Sequence, residues 1–395
     1  MSQARKGRQV TFLILCVVCI GVIAIYGWWT LRSRRTPAGT PQPPPVEATA
    51  PSPPSPAPAA SAENPAPQAT AKPPGGPQPK STTEQGKAVP PKSEAKPALL
   101  YFRANALGEN YGKLAVAPLN NLDQRQRQYA ADLFCDRVYF SSGNGVCLHA
   151  ERGGLTTYYA IGFNNQLQRT WSFKLNGLPS RTRVSPSGKL AAITVFIAGL
   201  SYTSLNFETQ TMILNAVTGE ILVPNLEQFS VTRDGAEFKS KDFNFWGVTF
   251  ARDENRFYAT LWSKGNTYLM AGDMEKRTAQ VIHDNVECPS LSPDNTRIAF
   301  KKRSVGGFLE GGRITWRITV LDLKTATETP LGETRSVDDQ VEWLDNDHIL
   351  YALSESEKGS SASTDIWVLP TTANGTPELL LKGGFSPAVV RTSAL

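Results

Sequence analysis

The run from Pro289 to Lys302 constrains this chain more than any other stretch. It reads Pro-Ser-Leu-Ser-Pro-Asp-Asn-Thr-Arg-Ile-Ala-Phe-Lys-Lys. Ser292-Pro293-Asp294-Asn295 is turn chemistry, because proline presets φ while Asp and Asn bond their own backbone and tolerate unusual dihedrals. The apolar Ile298-Ala299-Phe300 that follows suits a buried strand, with Lys301 and Lys302 marking its exit. A second strand is expected over Trp316 to Leu323, with Trp316, Ile318, Val320 and Asp322 on one face. Arg317, Thr319, Leu321 and Leu323 take the other, and Asp322-Leu323-Lys324-Thr325 then turns into a polar run ending near Leu331. A unit of this kind is apolar on both faces and cannot bury them alone, so it should recur.

It does recur. Arg183 to Ile193 repeats the turn as Ser185-Pro186-Ser187-Gly188, and Val248 to Tyr258 repeats it with Ala251-Arg252-Asp253. Val341 to Tyr351 is a further copy and Val138 to Gly145 a weaker one. Strands resembling Trp316–Leu323 follow at Thr211 to Asn215 and at Asp365 to Leu369. Turns spaced roughly 40 to 65 residues apart bracket the period of propeller blades, about 40–50. The predicted fold is therefore all-β, a six-bladed β-propeller. Leu291-Ser-Pro-Asp-x-x-x-Ile-Ala-Phe300, followed by Ile318-x-Val-Leu-Asp-Leu323, resembles the WD40-like repeat of TolB-like propellers over roughly residues 98–395. The turn is altered or missing in the first, second and fourth blades. The resemblance implies a role in cell-envelope assembly or translocation, although such proteins are usually soluble after signal cleavage.

Residues 1–9 form a short basic head with Arg5, Lys6 and Arg8, and 10–29 carry no charge. About 20 such residues suffice for a helix to cross a hydrocarbon layer of about 30 Å. Tyr26, Trp28 and Trp29 sit at the far end, where amphipathic rings favour an interface. No small-x-small cleavage site follows Trp29, and no small residue just precedes Cys16 or Cys19, so an uncleaved signal anchor is expected rather than a signal peptide. The short head stays inside and the carboxyl side is placed outside, periplasmic or at the cell surface. Residues 30–97 are low-complexity Pro, Ala, Ser and Gln, expected to remain a disordered linker because they bury too little apolar surface.

Charge decides one question. The formal net charge is +6, and six basic residues with no acid precede Thr36. The linker has one more lysine than glutamate, which leaves the domain close to −1. A basic face is the footprint of nucleic-acid binding, and no nucleic-acid partner is expected.

Within the domain, strands are expected at Leu99–Phe102, Lys113–Ala117, Thr156–Ile161 and Arg169–Leu175, and a helix at Asn120 to Asp132 with its Gln/Arg run. Further blades start near Arg181, Phe243, Val286 and Val341. Phe385 to Val390 is expected as a last innermost strand, or the first strand after the linker completes the last blade. Cys135 and Cys147 flank a candidate hairpin and form a disulfide if their Cα atoms come within about 7 Å, the alternative being buried free thiols. Cys288 is expected as a small buried residue.

Chemistry motifs are sparse. His149-Ala150-Glu151 matches half of a zinc-deaminase signature, but no Pro-Cys-x-x-Cys follows. Gly384-Phe385-Ser386-Pro387-Ala388 resembles a nucleophile elbow, with no Asp or His after it. No metal site, cofactor or catalytic residue is predicted. A propeller binds at its channel mouth and face loops. Residues entering innermost strands are therefore the candidate partner-binding set: Arg181, Arg183, Asn244, Trp246 and Glu287. Ser290, Asp338, Asp339 and Glu342 complete it. Trp246 is the largest candidate anchor, and Phe243 and Phe245 read as packing between blades. Asp338, Asp339 and Glu342 read as solvated rim charges, or else as acid/base or cation-binding groups. The expected function is a non-catalytic, membrane-anchored scaffold for an envelope protein partner. Alternatives are a sensor holding a small ligand or cation at the channel mouth, and a propeller-type lyase or glycoside-active enzyme. The sequence leaves oligomeric state open.

Overall fold

A computed structural model describes residues 98–203, 206–305, 314–354 and 363–391. The expected membrane segment at 10–29 and the linker at 30–97 lie outside them. Among the described residues no helix is long and apolar enough to cross a membrane.

Six sheets, antiparallel except for one outer pairing in blade 4, form six blades. From inner to outer strand, A to D, blade 1 is β26 (Gly384–Val390), β1 (Leu99–Ala104), β2 (Lys113–Pro118) and β3 (Gln128–Phe134). Blade 2 is β4 (Arg137–Ser141), β5 (Asn144–Glu151), β6 (Thr157–Asn164) and β7 (Arg169–Leu175). Blade 3 is β8 (Leu178–Val184), β9 (Leu190–Ala198), β10 (Glu208–Asn215) and β11 (Ile221–Val223). Blade 4, β14 (Asn244–Phe250), β15 (Arg256–Ser263), β16 (Asn266–Asp273) and β17 (Thr278–Asp284), is extended at its outer edge. There β12 (Ser230–Arg233) lies parallel to β17 and pairs with β13 (Ala236–Glu237). Blade 5 is β18 (Glu287–Leu291), β19 (Arg297–Val305), β20 (Ile314–Asp322) and β21 (Glu328–Pro330). Blade 6 is β22 (Glu342–Trp343), β23 (His348–Leu353), β24 (Asp365–Pro370) and β25 (Glu378–Leu381). Each innermost strand touches the next around a closed circuit. The C-terminal strand β26 closes the ring as the inner strand of the blade whose other strands are the first three of the domain, with Leu99 opposite Val390.

The repeated turns are alike in geometry. Ser185, Ala251 and Ser292 each donate a backbone N–H to the carbonyl five residues on, at 2.8 Å. The fourth turn residue is left-handed in each, Gly188 at φ +77, Glu254 at +60 and Asn295 at +61. Side chains seal these turns: Ser185 Oγ accepts from Leu190 N, and Ser292 Oγ from Arg297 N. The C-to-D turns use an Asx side chain, with Asn164, Asn215, Asp273 and Asp322 accepting from backbone N–H groups just ahead.

Period-2 alternation sends side chains to opposite faces of a strand, and here each face meets a different blade. In β9, Ala191, Ile193 and Val195 pack towards blade 2, and Ala192 towards blade 4. In β2, Leu114 and Val116 join blade 2, and Ala115 and Ala117 join blade 6. Every one of the six blade-to-blade seams holds its own apolar cluster. Phe245 lies in the seam of blades 3 and 4 with Phe243 packed against it, as expected. The closure and all of this core lie between residues 99 and 390, so the propeller is self-contained.

The expected helix at Asn120 to Asp132 is absent. Only Gln124–Gln126 forms a single 3-10 turn, capped by Asp123, before β3 begins. The Gln/Arg run has no apolar stripe, and none of that turn's residues is buried, so no packing stabilises a longer helix. The strand expected to end at Lys301 continues to Val305, because β20 pairs with it over nine residues. Cys135 and Cys147 are joined by a disulfide with Cα atoms 5.2 Å apart, and Cys288 is buried and free.

Candidate functional site

The A-to-B turns of the blades converge on one face and enclose a cavity of about 430 Å³. Tyr139, Arg183, Glu342 and Trp343 line its floor and walls, and Arg252 and Arg391 line its rim. Ser141, Ser142, Ser292 and Asn295 contribute from the turns. Glu342 is only 5% exposed and is held by three groups. It accepts from Arg183 at 2.5 Å, from the Tyr139 hydroxyl at 3.0 and 3.1 Å, and from the Val389 amide at 3.2 Å. Arg183 also donates to the Val341 carbonyl and to the Tyr139 hydroxyl and stacks over the Tyr139 ring. Burial pushes the Glu342 carboxyl above its ordinary value, and Arg183 pulls it part of the way back. Burial and the neighbouring Glu342 raise Tyr139 as well.

Beneath this floor Gln340 ties inner strands together by donating to the carbonyls of Pro289 at 2.9 Å and Val248 at 3.2 Å. Asp339 meets Arg137 at 3.3 Å. Burial and repulsion from Arg181 lower Arg137 to about 10, against the pull of Asp339. The next layer is an ion-pair chain. Arg181 meets Asp338 at 3.2 Å, Asp338 meets Lys301, Lys301 lies 3.6 Å from Glu287, and Glu287 accepts from Arg303 at 2.8 Å. Burial would raise the Asp338 carboxyl, but Lys301 and then Arg181 outweigh it and hold it well below the usual range.

The far end of the axis is closed by the loop between β9 and β10. Its Tyr202 is 3% exposed, stacks on Trp246 with centroids 4.5 Å apart, and meets the Ser180 hydroxyl. Arg181 and Lys301 both lie against the Tyr202 ring, and Arg303 donates to its carbonyl. Among the described residues the channel is thus blind at this end and opens through the cavity.

Local backbone irregularity positions these groups. The inner strands of blades 1, 3, 4 and 5 shift register against their B strands, at Tyr101/Arg103, Pro179/Arg181, Trp246/Thr249 and Glu287/Ser290. Such bulges re-aim side chains. Those of blades 1, 4 and 5 carry the left-handed residues Ser386, Gly247 and Cys288.

The predicted residues divide into groups. Arg183 and Glu342 stand together at the cavity floor, and Arg181, Asp338 and Glu287 belong to the deeper chain. Asp339 and Glu342 are 3% and 5% exposed, so they are not solvated rim charges; arginines on the inner strands of blades 2 and 3, across the axis, draw them inward. Asp338 alone of the three is half exposed. Asn244 lies in the seam of blades 3 and 4, accepting from Thr209 N at 2.7 Å. Trp246 is 0% exposed under Tyr202 and Phe207, so in this conformation it is packed core and not a surface anchor. Ser290 is buried, and its carbonyl receives the Trp343 indole at 2.8 Å. The Ser386 hydroxyl accepts from Val138 N and donates to Val138 O, stitching blade 1 to blade 2.

Sequence reasoning passed over Tyr139, Tyr202, Lys301, Gln340, Arg252 and Arg391. Tyr139 and Arg252 were within reach, since both stand inside or beside recognised repeat turns. Tyr202 was not, because it lies in a loop with no repeat partner. Among the described residues no three His, Cys, Asp or Glu side chains group as a metal site requires.

No family model matches the sequence, and no curated protein does. Solved structures similar to it include TolB from Acinetobacter baumannii, at 16% identity and TM-score 0.48 over 74% of this chain. The match spans 66% of that protein, slightly under two thirds of its length. A TolB-assigned protein from Agrobacterium tumefaciens matches at 11% identity and TM-score 0.44, over 74% of this chain and 92% of its own. A chain of a nidogen/laminin complex matches at 9% and 0.47, over 75% and 99%. At these values the likeness adds nothing to what strand order already establishes. The chain is a six-bladed β-propeller, and TolB proteins are among the structures it is similar to.

Proposed function

We propose that this propeller is a non-catalytic scaffold that captures a segment of a cell-envelope protein in the cavity formed by its A-to-B turns. The observation that carries this reading is the cavity itself, about 430 Å³, blind below and rimmed by Arg252 and Arg391. A pocket with a few convergent polar groups on rigid walls is the usual form of a binding site. The carboxylate that lines it, Glu342, has its acceptor capacity taken by Arg183, Tyr139 and Val389, which favours holding a shape over moving protons. The Cys135–Cys147 disulfide supports an oxidising compartment. Together with the apolar run at 10–29 it supports an anchored, extracytoplasmic domain.

The test is capture from a detergent extract of the native envelope, with residues 98–395 as bait. A partner retained by the wild type and lost on Arg252→Glu with Arg391→Glu supports the reading. Identical capture by the double variant would move the partner elsewhere on the surface. An empty bait whose melting temperature rises with a small anion would replace the scaffold by a small-ligand sensor.

A further inference from the structure

The face opposite the cavity carries a pattern of its own. The four most exposed large apolar side chains among the described residues are Leu155 at 90%, Leu107 at 77%, Leu200 at 76% and Val305 at 65%. Leu107 lies between β1 and β2, Leu155 between β5 and β6, Leu200 between β9 and β10, and Val305 at the end of β19. These are the B-to-C ends of four different blades. A-to-B turns line the cavity, and each strand pair reverses direction, so all four tips project from the other side. Each leucine has a glycine neighbour, Gly108, Gly154 and Gly199 respectively. Leu200 shares its loop with Tyr202, which is pinned inside the axis while Leu200 stands out. Lys174, Lys264 and Lys382 are exposed on the same face and make no ion pair among the described residues, and Glu109, Glu151 and Glu208 are exposed there as well.

We propose that this face docks on a lipid bilayer, with Leu107, Leu155 and Leu200 entering the boundary between headgroups and acyl chains. The spacing favours lipid over protein. A protein interface has a contiguous apolar core, whereas these tips stand one to a blade around a ring. A bilayer receives separated aliphatic tips together, without a matching pocket for each, and the lysines of the face can meet headgroup phosphates while its acids stay in water. Glycine-flanked tips enter without carrying bulky neighbours with them. The proposal concerns a surface separate from the cavity and stands or falls without it.

The test uses residues 98–395, whose core and closure are complete, and vesicles of phosphatidylethanolamine and phosphatidylglycerol. Wild type should cosediment with the vesicles. Leu107→Ser, Leu155→Ser and Leu200→Ser combined should weaken binding by on the order of tenfold or more with an unchanged melt, since three side chains lose their burial. As a readout that survives misfolding of the triple variant, Leu155→Trp should show emission quenched by brominated lipid beyond any quenching of the six native tryptophans in the wild-type fragment. Absence of wild-type binding, equal binding by a folded triple variant, or quenching of the Leu155→Trp variant no greater than that of the wild type would overturn the proposal. So would a lipid-free dimer that the triple variant abolishes, which would make the face a self-association surface.

Discussion

Lys301 governs the charge balance along the axis. Its ammonium is 0% exposed between Asp338 and Glu287, and Glu287 is itself 0% exposed. Lys301→Ala removes the cation beside Glu287 Oε2 and should lower stability by about 3–5 kcal/mol, seen as a shifted urea midpoint at unchanged slope. The two acids of the channel have opposite pH signatures. Asp338 is held below its ordinary value of 3.8, so its contribution is complete above that value and is lost as pH falls. Glu342 is raised above 4.5, so its contribution is complete below that value and declines as pH rises through its folded value. Asp338→Asn should therefore flatten the acid limb of stability against pH, and Glu342→Gln should flatten the decline on the rising side; denaturation across about pH 2 to 8 reads both. None of this was legible at Lys301, where two successive lysines resemble a strand's exit. The buried site is made by Asp338, 37 residues away in sequence, and no local pattern reports such a partner.

Elements were more legible where a turn carried its own chemistry. Ser-Pro-Asp and Ser-Pro-Ser-Gly marked A-to-B turns because proline, Asx and glycine act locally. The bulges of the inner strands gave no such mark, since Gly247 and Cys288 are odd residues only once their strands pair. At Gly247, φ is +65 and an added Cβ would lie 2.7 Å from Cys288 Cα, on the adjacent inner strand. Gly247→Ala should cost about 2 kcal/mol or more, from backbone strain together with overpacking, measured by thermal unfolding. The disulfide bridges residues separated by 12 positions. Cys135→Ser with Cys147→Ser should lower stability by about 2–4 kcal/mol, and reductant should lower the wild type equally without affecting the double variant.

At the scale of the whole molecule, blade count was legible because six seams need six comparable repeats. The manner of closure was not, since β26 pairs with a strand far earlier in the chain, joining Val390 to Leu99. Removing residues 384–395 takes away the inner strand of blade 1 and exposes both seams beside it. That truncation should abolish cooperative unfolding rather than lower its midpoint, which tryptophan fluorescence and calorimetry would show as a broad, low-enthalpy transition. Closure by β26 also fixes where the two ends of the ring lie. The chain enters the ring at Leu99, opposite Val390, and Val390 and Arg391 line the cavity. Both ends of the closed ring therefore meet in one blade, at the face that bears the cavity, where hydrogen bonds take the place of chain continuity.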